Sequence, residues 1–146
     1  MVLSVMGNPF RHQSDAIQIE KQVIERLFTE GREALPTEYT ALLAGHGSRI
    51  TTLYSAPPDD TDLHTFNWSG QALLDNLRKM KQDGVEWLGV VHTHPTAPPI
   101  PSSADKAGWH YPELSYWIAS FMQNENALCC YKIVNNQFVP ISFTIV

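Results

Sequence analysis

The stretch Val85 to His92, VEWLGVVH, is the most apolar strand-length run in the chain, and it leads directly into the proline-rich segment THPTAPPIP. A strand that is apolar on both faces belongs in the middle of a sheet whose two sides are covered, as in sheets layered with helices. The fold class implied is therefore α/β, a single domain built on a mixed β-sheet flanked by helices. The chain's 146 residues are enough for one such domain; a (β/α)8 barrel needs about 250. Hydrophobic residues make up 43% and charged residues 17%, which allows a sizeable core and excludes a disordered chain.

Periodicity supplies the other layers. Ile17 and Ile19 alternate as in a short strand, and Val23, Ile24, Leu27 and Phe28 predict a helix over about residues 20 to 33. Leu35-Pro36-Thr37 should end it, because the residue before proline is pushed out of the helical region. EYTALLAG, the turn Gly45-His46-Gly47 and RITTLYSAP together predict a β-hairpin. His64 to Trp68 predicts a short strand, and Ser69 is placed to cap a helix that carries Leu73, Leu74, Leu77 and Met80 and closes at Gly84. Beyond Asp105 a short polar helix or turn is expected. Strands follow at Tyr116 to Met122, Ala127 to Val134 and Phe138 to Val146, with a tight turn at Asn135-Asn136, since Asn tolerates positive φ. Residues 1–14 are expected to be an irregular, frayed tail, leaving 15–146 as the domain.

Charge and cysteine usage limit the setting. Ten Lys plus Arg against 15 Asp plus Glu give a formal charge of -5, and no basic stripe is available to neutralise phosphates, so nucleic acid is excluded as a partner. Cys129 and Cys130 are adjacent and should point to opposite faces, which fits unbridged thiols in a reducing cytoplasm. No secretory leader and no run of ~20 apolar residues is present, so a soluble cytoplasmic protein without membrane contact is expected.

The chemistry concentrates in VVHTHPTAPPIPSSAD, residues 90–105. Strand side chains repeat with period two, so His92 and His94 leave one face together, whereas a helix would send them nearly opposite ways. Two imidazoles so placed can converge on a zinc ion at ~2.0 to 2.1 Å. A catalytic zinc wants three protein ligands and one open position, and Asp105 is the best third ligand, reached through a loop stiffened by Pro95, Pro98, Pro99 and Pro101. Taken alone, a His-x-His pair is often half-buried surface, and Ser102-x-x-Asp105 reads first as a helix cap close to the capping-box pattern. Cap and ligand are compatible, because a helix starting at Ser102 would fix the direction of Asp105. The full spacing, His92-Thr93-His94-Pro95, six residues, Ser102, two residues, Asp105, has a coincidence chance on the order of 10^-5 from residue frequencies.

That spacing resembles the signature of the JAMM (MPN+) metalloproteases, a distant Glu followed by His-[Ser/Thr]-His-Pro-x6-Ser-x-x-Asp. The likeness runs from about Ile17 to Val146 and is greatest to compact bacterial JAB-type members. It implies a JAMM/MPN, cytidine-deaminase-like architecture, one zinc ion per chain held by His92, His94 and Asp105, and Ser102 as the residue that helps hold the tetrahedral intermediate. The distant acid is matched by Glu38, in Pro36-Thr37-Glu38-Tyr39-Thr40-Ala41-Leu42-Leu43-Ala44-Gly45, although members often carry Cys-Gly where Tyr39 to Ala41 stand. Glu38 would act as general base; Glu20, Glu25, Glu30 and Glu33 read as the solvated face of the preceding helix. The implied substrate is an amide bond at the extended C-terminal tail of a ubiquitin-like or sulfur-carrier protein. The short segment after Asp105 lacks the large insertions of eukaryotic deubiquitinases.

Other readings compete. Metallo-β-lactamase-like enzymes would follow the pair with x-Asp-His, a cupin would place a Glu within a few residues, and zinc nucleobase deaminases need His-x-Glu with Cys-x-x-Cys; none matches. A non-catalytic MPN-type scaffold usually lacks a ligand, and a structural zinc site would close the shell with four, for which His110 is the candidate. His12, His46 and His64 receive no role. Trp117 reads as core, and Trp109 and Tyr111 as either core or a platform beside the cleft.

Overall fold

Strands and helices alternate through the first two thirds of the chain: β1 (Ile17–Ile19), α1 (Lys21–Ala34), β2 (Thr40–His46), β3 (Arg49–Ser55), α2 (Gly70–Asp83), β4 (Glu86–His94) and α3 (Ser103–Gly108). Four strands complete it: β5 (Ser115–Ser120), β6 (Ala127–Val134), β7 (Gln137–Ile141) and β8 (Phe143–Ile145). The computed structural model describes residues 5–11, 16–56, 70–109, 111–122 and 127–146. The described strands form one mixed sheet in the order β7-β6-β5-β4-β2-β3-β1-β8. β4 lies inside it, antiparallel to β2 and parallel to β5.

Each face of the sheet carries its own apolar cluster. On one, Val23, Leu27 and Phe28 of α1 pack on Ile19, Leu43, Val91 and Trp117; on the other, Ala72, Leu77 and Met80 of α2 pack on Leu42, Val90, Trp109 and Tyr116. Burying one such large side chain contributes ~1.5 to 3 kcal/mol. The single-domain α/β reading with a helix-flanked mixed sheet is therefore what the structure has. Trp117 is core, and Trp109 and Tyr111 join the second cluster.

A bulge in β4 decides which of its side chains face which helix. Leu43 opposes Gly89 but Ala44 opposes Trp87, so Leu88 is the extra residue. Trp87 consequently shares a face with Val90, while Leu88 joins Val91 on the other. Gly89 is required there: a Cβ would lie 2.6 Å from the carbonyl oxygen of Ser115 on β5. Past the bulge alternation is regular, and His92 and His94 continue on the face of α2.

The β2–β3 hairpin turns at Gly47, with φ +60, and the β6–β7 hairpin at Asn135 and Asn136, with φ 52 and 62, as the turn chemistry predicts. Three expectations change. The stretch Phe138 to Val146 is not one strand: it divides at Ser142 into β7, paired with β6, and β8, paired with β1 at the far end of the sheet. Residues 5–11 are not a frayed tail: Val5 is buried, Gly7 N–H donates to Trp87 O at 2.9 Å, and Ser48 Oγ donates to Pro9 O. The helix expected beyond Asp105 begins ahead of it, at Ser103. The strand expected at His64 to Trp68 and the cap at Ser69 lie outside the described residues, as do His12 and His110.

Candidate metal centre

The end of β4 brings two histidines into the second face, because period-two alternation past the bulge points Val90, His92 and His94 the same way. His92 is 7% exposed and His94 6%, and their Nε2 atoms lie 2.9 Å apart. His94 Nδ1 is 2.8 Å from the Pro98 carbonyl oxygen, which can only accept, so this nitrogen carries the proton and Nε2 of the neutral ring presents its lone pair to the site. The proline-rich loop that supplies this carbonyl is itself tied down. Ser120 Oγ donates to Ala97 O at 2.6 Å and Tyr131 OH to Pro99 O at 2.6 Å.

Asp105 arrives from α3. Ser102 caps the helix in a reciprocal capping box: Asp105 N–H donates to Ser102 Oγ at 3.1 Å and Ser102 N–H donates to Asp105 Oδ2 at 2.8 Å. The cap holds the carboxylate against the imidazoles, with Oδ1 3.2 Å from His92 Nε2 and Oδ2 3.3 Å from His94 Nε2. Asp105 is 4% exposed; burial alone would raise its carboxyl, but its contacts with the His92 and His94 imidazoles and the hydrogen bond from the Ser102 N–H hold it well below the usual carboxylate range. Burial pushes His94 down, and Asp105 and the Pro98 carbonyl more than reverse this. Cap and candidate ligand are thus the same residue.

Glu38 is delivered from the opposite side by β2. Thr40 pairs with His92, and the ladder continues one step: Thr93 N–H donates to Tyr39 O at 2.9 Å, while Tyr39 N–H donates to Thr93 Oγ1 at 2.8 Å. Tyr39 belongs to the α1 face, so Glu38 turns to the face of the histidines. Glu38 and both histidines offer ligand atoms that all lie within 4.8 Å of one another, close enough for one water to bridge acid and imidazole. The structure therefore brings together Glu38, His92, His94 and Asp105, with Ser102 at the helix start beside them.

The donor set fits a zinc ion. A tetrahedral shell with bonds of ~2.0 to 2.1 Å separates its donors by about 3.3 Å. The separations here are 2.9, 3.2 and 3.3 Å, in a mixed nitrogen and carboxylate set.

Sequence reasoning passed over the supports. It takes Thr93 only as a motif position and Pro98 only as a loop stiffener, and gives Tyr116 no place at the site; Thr93 acts from β4, the Pro98 carbonyl from the loop after it and Tyr116 from β5. Tyr116, opposite Val90 on β5, packs its ring on His92 at 5.3 Å between centroids. Of the acids read as solvated, Glu30 is tied in: it accepts from Ser55 Oγ at 2.7 Å and Tyr39 OH at 3.3 Å. His46 is exposed at the end of β2.

Comparison with known proteins places the fold and the family. Residues 20–131 match the model of a family described as prokaryotic homologs of the JAB domain. A protein from Desulfitobacterium hafniense, known from its solution structure, is 25% identical with a TM-score of 0.77, over 88% of this chain and 92% of that one. A JAB1/MPN domain protein from Archaeoglobus fulgidus is 20% identical with a TM-score of 0.64, over 90% of this chain and 99% of that one. A structure described as JAMM, a metalloprotease-like zinc site in the proteasome and signalosome, is 18% identical with a TM-score of 0.58, over 90% and 99%. At these identities the last two show a shared fold. No curated protein sequence matches the chain. Among the described residues, no helix is long and apolar enough to cross a membrane.

Proposed function

The chain belongs to the prokaryotic homologues of the JAB domain, and from that premise we propose that it is a zinc-dependent peptidase or isopeptidase acting at the C-terminal tail of a ubiquitin-like or sulfur-carrier protein. The observation that carries this reading is the convergence of His92, His94 and Asp105 at 2.9 to 3.3 Å with Glu38 close by. When bound, zinc supplies a Lewis acid for an amide carbonyl and makes water acidic near neutral pH. His92, His94 and Asp105 would hold it, one ion per chain. The Pro98 carbonyl keeps the His94 lone pair turned inward, and the Ser102 N–H keeps the Asp105 carboxylate there.

Glu38 takes the proton of the attacking water and passes it to the leaving amine. Ser102 Oγ accepts from the Asp105 N–H, which leaves its own proton free to donate to the developing oxyanion. An extended substrate tail lying in the cleft would present its carbonyl as an added strand does. The substrate class rests on the motif's resemblance, and cytoplasmic residence on the unbridged cysteines.

Glu38→Gln should keep close to one zinc per chain while turnover of a ubiquitin-like fusion falls ~10^2- to 10^4-fold, and His92→Ala should lose the metal. Unchanged turnover in the first variant would move the base elsewhere, and full zinc in the second would reject the ligand set. The nearness of Glu38 to both imidazoles also favours a second reading, a closed site with Glu38 as fourth ligand in a non-catalytic binding module. In that case Glu38→Gln weakens zinc binding and the natural protein cleaves no such tail.

A further inference from the structure

The hydroxyl of Tyr116 has no structural partner to justify it. Tyr116 is 1% exposed, and among the described residues its hydroxyl makes no hydrogen bond of normal geometry, although the Asp105 carboxylate stands near it. The hydroxyls of Tyr39, Tyr54 and Tyr131 are all engaged, with Ser55, Asp83 and the Pro99 carbonyl. An orphaned buried hydroxyl costs ~1 to 3 kcal/mol, which phenylalanine at the same position would avoid.

Its placement ties it to the metal centre. The ring is clamped against His92 at 5.3 Å, Trp109 at 5.3 Å and Phe138 at 4.9 Å between centroids, so the hydroxyl cannot swing away. An ordinary phenol keeps its proton at neutral pH, so the hydroxyl is a donor. The acceptor near it is Asp105, whose carboxylate is now turned to His92, His94 and the Ser102 N–H. Once both imidazoles are committed to an ion, that carboxylate loses two of its three polar contacts and has lone pairs to fill.

We propose that Tyr116 is a positioning residue whose hydroxyl donates to the Asp105 carboxylate in the metal-loaded protein and thereby sets the affinity of the site for zinc. The idea rests on the metal reading given above. A partner of this kind, behind a ligand, is commonly worth ~10- to 100-fold in metal affinity. It also explains why the tyrosine is tolerated: the hydroxyl is unsatisfied in the metal-free state and satisfied in the loaded one.

The test is competition with a chromophoric zinc chelator for the natural protein and Tyr116→Phe, which keeps the ring on His92 and removes only the oxygen. Zinc should bind the variant ~10- to 100-fold more weakly, while the metal-free variant melts no lower than the metal-free natural protein. Equal affinity overturns the proposal and leaves the metal reading standing; absence of zinc binding by the natural protein overturns the metal reading and the proposal with it. A measurement on the natural protein guards against a variant that fails to fold. With 13Cζ-labelled tyrosine, the Tyr116 resonance should move downfield on zinc addition, as for a phenol donating to a carboxylate, and an unmoved resonance overturns the proposal.

Discussion

The two faces of β4 differ in what they bury. Toward α1 the strand presents Leu88 and Val91 to a cluster of aliphatic and aromatic side chains, and its polar contribution, Thr93, is spent on the Tyr39 backbone. Toward α2 and α3 the same strand presents Trp87 and Val90 and then His92 and His94, beside a buried Asp105 and the lone Tyr116 hydroxyl. Buried polar groups are expensive and are kept where something compensates them. Both faces bury an apolar cluster that holds the fold together, and one of them also carries the groups that an ion would satisfy.

Substitutions can break that division, and they rank by the stability they remove. Leu27→Ala, in α1, should cost ~2 to 5 kcal/mol in denaturant unfolding while zinc content stays near one per chain; loss of zinc with the stability would show the faces to be coupled. Thr93→Val leaves the Tyr39 N–H without its acceptor and should cost ~1 to 3 kcal/mol. It should also lower turnover with the metal retained, because Tyr39 carries Glu38 into the site; unaltered turnover would free Glu38 from this support. Ser102→Ala removes the acceptor of the Asp105 N–H and should cost about 1 kcal/mol. The Ser102 N–H still orients Asp105 in that variant, so zinc affinity should change little, and a large fall would give the hydroxyl a share in holding the ligand.

How much of this was legible in the sequence depends on the range of the cause. Period-two alternation places His92 and His94 on one face, the capping pattern ties Ser102 to Asp105, and the proline at 36 ends α1 at Ala34. Each is decided within a few residues. The bulge is not: Gly89 reads as one more apolar position until Ser115, from a strand 26 residues on, comes too close for a Cβ. Tyr116 could not be assigned to the site, because only the parallel pairing of β4 with β5 puts it beneath His92. The continuous strand expected from Phe138 failed for a similar reason. Alternation carries across Ser142, yet the two halves answer to opposite ends of the sheet.

Eight strands laid flat would span about 34 Å from first to last, but Ile141, which ends β7, and Phe143, which begins β8, stand two residues apart and within ~7 Å. The ribbon is thus bent round into a hoop, with Trp117 and Phe143 meeting across its inside at 4.8 Å. The hydrogen bonds between Ile19 and Val146 and between Lys21 and Val146 close a loop of nearly the whole described chain, so ordering that loop is the entropy they must offset. The clasp therefore carries the largest loop-closure cost in the described sheet.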